Sequence, residues 1–195
     1  MNWIEFYQRF LPAVWLIWVV AWWIFAINVK VTVRRQALLP NLLNTALWFC
    51  AFGLLWAPFV PVRGLMERFL PGAEWQFWAA LGAMLTLIGL LFTVWARVYL
   101  GRNWSGMGVT LKADHESVTG GPYRLVRHPI HSGLMLALIG TALAIGQWRG
   151  VLSVVLLLIA IAHRIFVEER LMREQFGATY DAYAKRVSAL VPGLM

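Results

Sequence analysis

The sequence predicts an all-α integral membrane protein with about five transmembrane helices, a C-terminal helical hairpin and a cytoplasmic amphipathic tail helix. Of its 195 residues, 61% are hydrophobic and only 13% are charged, a composition unlike that of ordinary soluble domains. Apolar runs of membrane-spanning length recur along the chain, and most lysines and arginines lie between these runs. The net charge of +8 is therefore typical of juxtamembrane loops. Membrane lipids are the expected surroundings, and no nucleic-acid partner is expected.

Three apolar runs make up an N-terminal membrane region, residues 1–99. The first run, 11–29, is longer than the core of a signal peptide and carries its basic residues behind it. That pattern favours an uncleaved anchor with the N-terminus outside. The second run, 42–62, has two prolines near its end, where a helix is expected to kink or stop. The third run spans about 75–99.

The remaining residues, 100–195, form a second region that begins with a polar segment. Residues 100–129 include five glycines and two prolines and show no helical or strand period, so the sequence predicts a loop region. Two short apolar runs follow, 130–147 and 151–167, with three residues between them. A link this short requires an antiparallel helical hairpin.

The basic residues predict which face the polar loop and the C-terminal tail share. With the N-terminus outside, segments 30–41, 97–131 and 164–195 lie inside and hold 13 of the 17 lysines and arginines. This distribution agrees with the positive-inside rule. The tail is expected to form an amphipathic helix broken at Gly177, then a second helix to about Leu190. Loop and tail therefore meet on the cytoplasmic face.

Ionisable residues at the inner end of the fifth run are the first candidates for function. Arg164 and Glu168 are four residues apart, so a helix places them on one face. Charges are costly inside a membrane, and those retained there are functional candidates. The structural alternative is an interfacial ion pair between Arg164 and Glu168, with Glu169 and Arg170 solvated.

Residues 121–134, GPYRLVRHPIHSGL, place two histidines at the start of the fourth apolar run. A proline in the first helical turn is a good helix start, so His128 before Pro129 has a structural interpretation as a cap. His115 and His131 together with His128 would be the histidines of a metal site. The chain has no HExxH motif or clustered carboxylate ligands, so no metal is predicted.

Four segments together resemble a known family. They are LGRNWS, RHPIHSG, the EE pair behind the hairpin, and FGATYDAYAKRV. Their order and spacing resemble those of the isoprenylcysteine carboxyl methyltransferases and the wider phospholipid-methyltransferase-like group. That group's pattern is RHPxYxG, a hydrophobic hairpin, and EExxLxxxFGxxYxxYxxxV. The resemblance covers about residues 97–192, and the three N-terminal runs resemble nothing specific.

The resemblance implies the site residues. S-adenosyl-L-methionine would be held by His115, Glu116, Ser117, Val118, Tyr123, His128, Pro129, Ile130, His131 and Glu168. Arg164 matches the catalytic and substrate-binding arginine of the family, and a guanidinium binds a carboxylate through two parallel hydrogen bonds. One position departs from the pattern, because His131 stands where the family has tyrosine.

The activity that the resemblance implies is methyl transfer to a lipophilic acceptor that enters from the bilayer. The expected acceptor group is the carboxylate of an isoprenylcysteine-like substrate, and region 100–195 is the catalytic region, facing the cytoplasm from a prokaryotic inner membrane. Phospholipid (amine) and thiol methyl transfer are the alternatives within the same chemistry. A nicotinamide-dependent membrane reductase and a non-enzymatic membrane scaffold are the rivals outside it, and the scaffold would bind no cofactor.

Overall fold

The computed structural model describes residues 3–26, 32–35, 38–57, 62–69, 75–101, 104, 110–112 and 118–194. The main helices are α1 Trp3–Ala26, α2 Leu38–Trp56, α3 Trp75–Leu100, α4 Pro129–Ile145, α5 Trp148–Phe176 and α6 Ala178–Ala184. Short 3-10 helices cover Arg63–Met66 and Gly121–Arg124. The largely helical fold predicted from the sequence is confirmed.

Each of the five predicted apolar runs overlaps a helix, and the helix of the second run, α2, ends at Trp56, before the expected end at residue 62. Among the described residues, two helices, α3 and α5, are long and apolar enough to cross a membrane by length and composition. The shorter apolar helical stretches are Arg9–Phe25, Leu42–Trp56 and Pro129–Ile145. The number of membrane crossings therefore stays a prediction.

The polar segment 100–129 is not all loop. A short strand, β2 Thr110–Lys112, pairs antiparallel with β1 Thr32–Arg35. The prediction of a loop was wrong for these three residues because a strand this short is stable only with a partner, and its partner is remote in the chain. The pairing joins the segment after α1 to the segment after α3.

Glycines bring α3 and α4 into backbone contact. A Cβ atom added at Gly89 would lie 2.5 Å from the carbonyl oxygen of Gly133, and one added at Gly133 would lie 2.6 Å from that of Gly89. Gly82 and Gly140 face each other in the same way, about two helical turns further along the two helices. Small residues of this kind allow helices to approach closely within a membrane. We call this contact the glycine seam.

Helices α2 and α5 run antiparallel, and three hydrogen bonds fix their register. Ser153 Oγ donates to the carbonyl of Ala51 at 2.7 Å, and Arg149 donates to the carbonyls of Leu54, at 3.2 Å, and Ala57. Gly146, with φ of 66°, ends α4 in the left-handed conformation that suits glycine. The link between α4 and α5 consists of residues 146 and 147. It was expected at residues 148–150, which belong instead to α5.

The C-terminal tail folds back onto the segment that precedes α4. Helix α5 continues without a break to Phe176, and Gly177 separates it from α6, as predicted. The second helix ends at Ala184 and not near Leu190. Residues after α6 bond instead to the chain at α4: the backbone N–H of His128 donates to Ala189 at 3.0 Å, and Ser132 Oγ donates to Leu190 at 2.6 Å.

Candidate active site

An aromatic pocket of about 250 Å³ opens between α1, α2, α4 and α5. Five tryptophans contribute to its wall: Trp18, Trp22, Trp23, Trp48 and Trp104. Their rings contact one another, with Trp18 and Trp22 centred 4.8 Å apart and Trp22 and Trp104 5.5 Å apart. Such a wall suits an apolar chain. The pocket's polar lining residues are Asn44, Thr45, His131 and Arg164.

Arg164 and His131 connect this pocket to a group of ionisable side chains. We call the group the polar cluster: Arg127, His128, His131, Arg164, Glu168 and Glu169. Arg164 Nε donates to Glu168 Oε1 at 2.9 Å, which confirms that these two residues share a face. His128 lies between the two glutamates, with Nδ1 3.4 Å from Glu168 Oε2 and Nε2 3.4 Å from Glu169 Oε1.

Glu169 is held by two arginines in addition to His128. Arg127 donates to Glu169 Oε1 from Nε at 2.9 Å and from Nη2 at 2.6 Å. Arg173 donates to the other oxygen at 2.9 Å. The second terminal nitrogen of Arg127 donates to the carbonyls of Ala184 and Val187, at the end of α6. The alternative in which Glu169 is solvated is therefore wrong, because this side chain is only 11% exposed.

The family model for phospholipid methyltransferases matches residues 77–179, which include α3, α4, α5 and the polar cluster. The chain belongs to this family. Membership is consistent with the apolar helices, since the family is associated with membranes. The resemblance drawn from the short motifs is confirmed.

Plant proteins are among the relatives of this chain. Protein-S-isoprenylcysteine O-methyltransferase B of Arabidopsis thaliana is 28% identical over 137 residues, which are 64% of this chain and 64% of that protein. A probable protein-S-isoprenylcysteine O-methyltransferase of Oryza sativa subsp. indica is 30% identical over 121 residues, 61% of this chain and 63% of that protein. This chain therefore spans just under two thirds of the length of these relatives.

A third family relative acts on a different group according to its name. Methanethiol S-methyltransferase 2 of Bradyrhizobium diazoefficiens is 38% identical over 79 residues, which are 37% of this chain and 27% of that protein. The names of these relatives thus include both an oxygen and a sulfur acceptor.

The structure brings most of the site residues implied by the resemblance to one place. Pro129 and Ile130 begin α4 directly behind His128, and Ile130 lines the aromatic pocket with His131. Tyr123 is buried in the 3-10 helix, and its carbonyl accepts a 2.6 Å hydrogen bond from the hydroxyl of Tyr183. Burial raises the pKa of the Tyr123 phenol well above its ordinary value, so the ring stays neutral.

The expected cofactor loop lies mostly outside the described residues. His115, Glu116 and Ser117 fall there, whereas Val118 is described and is half-buried. The roles of all four residues stay predictions.

The protonation of His128 is set by opposing effects. Burial lowers the pKa of His128, while hydrogen bonds and attraction from Glu168 and Glu169 raise it, and the net direction is upward from 6.5. A buried imidazole between two carboxylates therefore favours the charged form. His128 also caps the start of α4 in sequence position, but its side chain makes no cap hydrogen bond. The histidine's contacts are with the glutamates.

His128, His131 and Glu168 are also close enough to share a metal ion. Their ligand atoms lie within 4.8 Å of one another. Arg164 lies against the same carboxylate at 2.9 Å, and a fixed positive charge there opposes binding of a dication. The prediction that no metal is needed therefore stays a prediction, with an electrostatic argument in its favour.

Sequence reasoning did not find the pocket wall or the buried arginine of α3. Arg97 is 2% exposed, donates to the carbonyls of Gly101 and Phe25, and lies over the Trp104 ring at 4.6 Å. Trp18 Nε1 donates to Thr93 Oγ1 at 2.6 Å. The available signal was the high tryptophan content of α1 and α2, but a tryptophan-rich run is equally typical of a helix facing lipid.

Proposed function

We propose that the protein transfers a methyl group from S-adenosyl-L-methionine to the carboxylate of a lipophilic, isoprenylcysteine-like acceptor. The observation that carries the proposal is the continuity of the aromatic pocket with the polar cluster at His131 and Arg164. An apolar chain fits among the tryptophans while its polar end lies at the guanidinium. The names of the plant relatives support the same acceptor class.

The side of the cluster away from the pocket suits the cofactor. When bound, S-adenosyl-L-methionine supplies an activated methyl group on a cationic sulfur. Glu168, 19% exposed and adjacent to His128, offers a carboxylate to the ammonium or to the cationic sulfur. Because Glu168 is not part of the pocket wall whereas Arg164 is, the Arg164–Glu168 pair would separate the cofactor side from the acceptor side.

The residues of the chain would act by binding, orienting and excluding water. Transfer of an already activated methyl group depends on positioning and desolvation more than on proton transfer. Arg164, with a side chain 11% exposed, would fix both oxygens of a carboxylate. The tryptophans would keep water from the reacting end. Val118, Tyr123 and Pro129 would complete the cofactor wall with His115–Ser117. Ile130 and His131, which also line the aromatic pocket, would lie between the cofactor and the acceptor.

We place the polar cluster at the cytoplasmic face of a prokaryotic inner membrane, with five helices crossing and the N-terminus outside. Support comes from the 13 basic residues in the segments assigned to the inside. The loop before α4 and the tail after α6 lie together, as one shared face requires. An acceptor would then enter the pocket from the bilayer.

Methyl transfer to a thiol is the second candidate. It is favoured by the 38% identity with methanethiol S-methyltransferase 2 over 79 residues. A small thiol would make little use of a 250 Å³ aromatic pocket, so a lipophilic thiol is the form of this candidate that the pocket supports.

The deciding experiment measures methyl transfer and cofactor affinity for Arg164→Ala and Arg164→Lys. If Arg164 binds a carboxylate, Arg164→Ala loses turnover while the cofactor Kd stays within about twofold. Arg164→Lys recovers little, because an ammonium lacks the planar pair of donors. Radiolabelled cofactor with a prenylated cysteine and with a lipophilic thiol gives turnover, and calorimetric titration gives Kd. Near-wild-type turnover of the prenylated cysteine by Arg164→Ala would reject the carboxylate assignment in favour of a thiol or an amine.

A further inference from the structure

Asn44 lies in the wall of the aromatic pocket and is nearly buried. It belongs to α2, is 7% exposed, and shares the pocket with His131 and Arg164. Within the part of the chain that the structure describes, Oδ1 of Asn44 has no hydrogen-bond partner. Two other buried polar side chains of the bundle have partners: Ser153 donates to Ala51, and Thr141 donates to Ala137.

An unpaired amide oxygen is unfavourable at this position. A buried acceptor without a donor loses its hydration and gains nothing in return, and native proteins keep few such atoms. Asparagine is also a poorer residue than leucine in a helix interior, and leucine has the same branching and the same number of side-chain heavy atoms. In the folded chain alone, the side-chain oxygen of Asn44 therefore contributes no stabilising hydrogen bond. A bound molecule that donates a hydrogen bond to this oxygen would supply it.

The register of α2 against α5 places Asn44 close to the level of Arg164. Ser153 is bonded to Ala51, and the helices run antiparallel. Asn44 precedes Ala51 by seven residues, about 10 Å of helix, and Arg164 follows Ser153 by eleven residues, about 16 Å. The two residues are therefore offset by about 6 Å, or one helical turn, along the helix axes, with Asn44 nearer the middle of the bundle. An acceptor with its carboxylate at Arg164 would reach Asn44 with the next few atoms.

We infer that Asn44 is an acceptor-binding residue whose Oδ1 accepts a hydrogen bond from an N–H group next to the acceptor's carboxylate. The inference rests on the proposed function and narrows its substrate class. In an N-acylated prenylcysteine, the amide nitrogen and the carboxylate are attached to the same carbon, so one end of the molecule serves both Asn44 and Arg164. The prenyl chain then lies along the tryptophans. A prenylated acid without an N–H leaves Oδ1 unpaired.

The test is a binding comparison that does not depend on methyl transfer. Two probes are titrated, N-acetyl-S-farnesylcysteine and 3-(farnesylthio)propanoic acid, which lacks the amide. The pocket's tryptophans report binding by their fluorescence. For the wild-type protein we expect the amide-bearing probe to bind about tenfold more tightly, the worth of one buried hydrogen bond. For Asn44→Leu we expect the two probes to bind within about twofold of each other.

Ser153→Ala is the matched control, since it also removes a buried polar group between α2 and α5 but lies outside the pocket wall. It should keep the tenfold preference. Without probe, Asn44→Leu should unfold at the same temperature as the wild type or higher, whereas a structural role would lower it. An unchanged preference in Asn44→Leu, or no binding of either probe to the wild type, overturns the inference. Tight binding with the expected preference but no methyl transfer would instead reject the proposed function.

Discussion

One face of α4 forms the glycine seam with α3, whereas the start of the same helix meets α5 in the polar cluster. In the seam, backbones touch, and there is no room for even one added carbon at Gly89 or Gly133. In the cluster, long side chains meet through charges, as Arg164 does with Glu168 at 2.9 Å. The two regions therefore tolerate different kinds of substitution. The seam depends on size, and the cluster depends on charge at constant size.

The largest effect is expected at Glu169, where the charge serves the fold. Glu169→Gln keeps the shape but leaves Arg127, with a side chain 12% exposed, without its carboxylate. Removing one partner of a buried ion pair should lower the free energy of unfolding by about 3 kcal/mol. Thermal unfolding in detergent measures it.

Glu174→Gln is the control for this substitution. Glu174 pairs with Arg170 on the exposed side of α5, where the arginine side chain is 73% exposed. Exposed pairs contribute little, so the change should stay within about 0.5 kcal/mol. Equal effects of the two substitutions would mean that Arg127 and Glu169 do not form a buried pair.

The seam should respond to size with a somewhat smaller loss. In Gly133→Ala the new methyl group would lie 2.6 Å from the carbonyl oxygen of Gly89, so the helices must separate. Overpacking of this kind costs about 1–3 kcal/mol. Gly53→Ala is the matched control, because nothing lies within 4 Å of a Cβ atom there, and it should be neutral or stabilise α2. A seam that accepts alanine without loss of melting temperature would show that the backbones are not in contact.

Within the polar cluster, Glu168 can be compared directly with Glu169, because the two residues are neighbours and the same substitution can be made at both. We expect Glu168→Gln to weaken S-adenosyl-L-methionine binding by at least about tenfold, the worth of a hydrogen bond to a charged group. Its effect on unfolding should be smaller than that of Glu169→Gln, because Arg164 lines the open pocket. Calorimetric titration and thermal unfolding separate the two effects. Unchanged cofactor affinity would remove Glu168 from the proposed site.

Much of the fold could be predicted because a long apolar run is a local property. All five predicted runs overlap helices, and the break at Gly177 was visible as a glycine inside a helical pattern. The pairing of β1 with β2 could not be predicted, since neither strand shows a pattern of its own. The glycine seam left a trace, as Gly82 and Gly89, like Gly133 and Gly140, are seven residues apart and share a helix face. That spacing does not show which helix packs against which.

The candidate site was predictable where it is continuous in sequence. Arg164 and Glu168 are four residues apart and were expected to meet, as they do. The separate roles of Glu168 and Glu169 were not, because adjacent glutamates look alike until Arg127 is seen to bond to the second. Asn44 was missed for a different reason. Its significance depends on the lack of a partner in a pocket assembled from four helices, which no local pattern records.

The smallest expected effect is a pH dependence of stability that belongs to the cluster and not to the seam. The net pKa of His128 is raised in the folded protein, because Glu168 and Glu169 outweigh the effect of burial. A raised folded pKa means that the folded state binds the proton more tightly than the unfolded state. The resulting stability is fully present below about pH 6.5 and is lost as the pH rises through the folded pKa.

Thermal unfolding measured from about pH 5.5 to about pH 9, in steps of roughly half a pH unit, would follow this loss. The wild type should lose stability across this window, because the folded state gives up a proton that it binds more tightly than the unfolded state does. His128→Gln should flatten the profile, because glutamine has no proton to lose. Gly133→Ala, which changes no ionisable group, should lower the whole curve without changing its slope. A profile that keeps its slope in His128→Gln would assign the pH dependence to another group and leave His128 neutral between the glutamates.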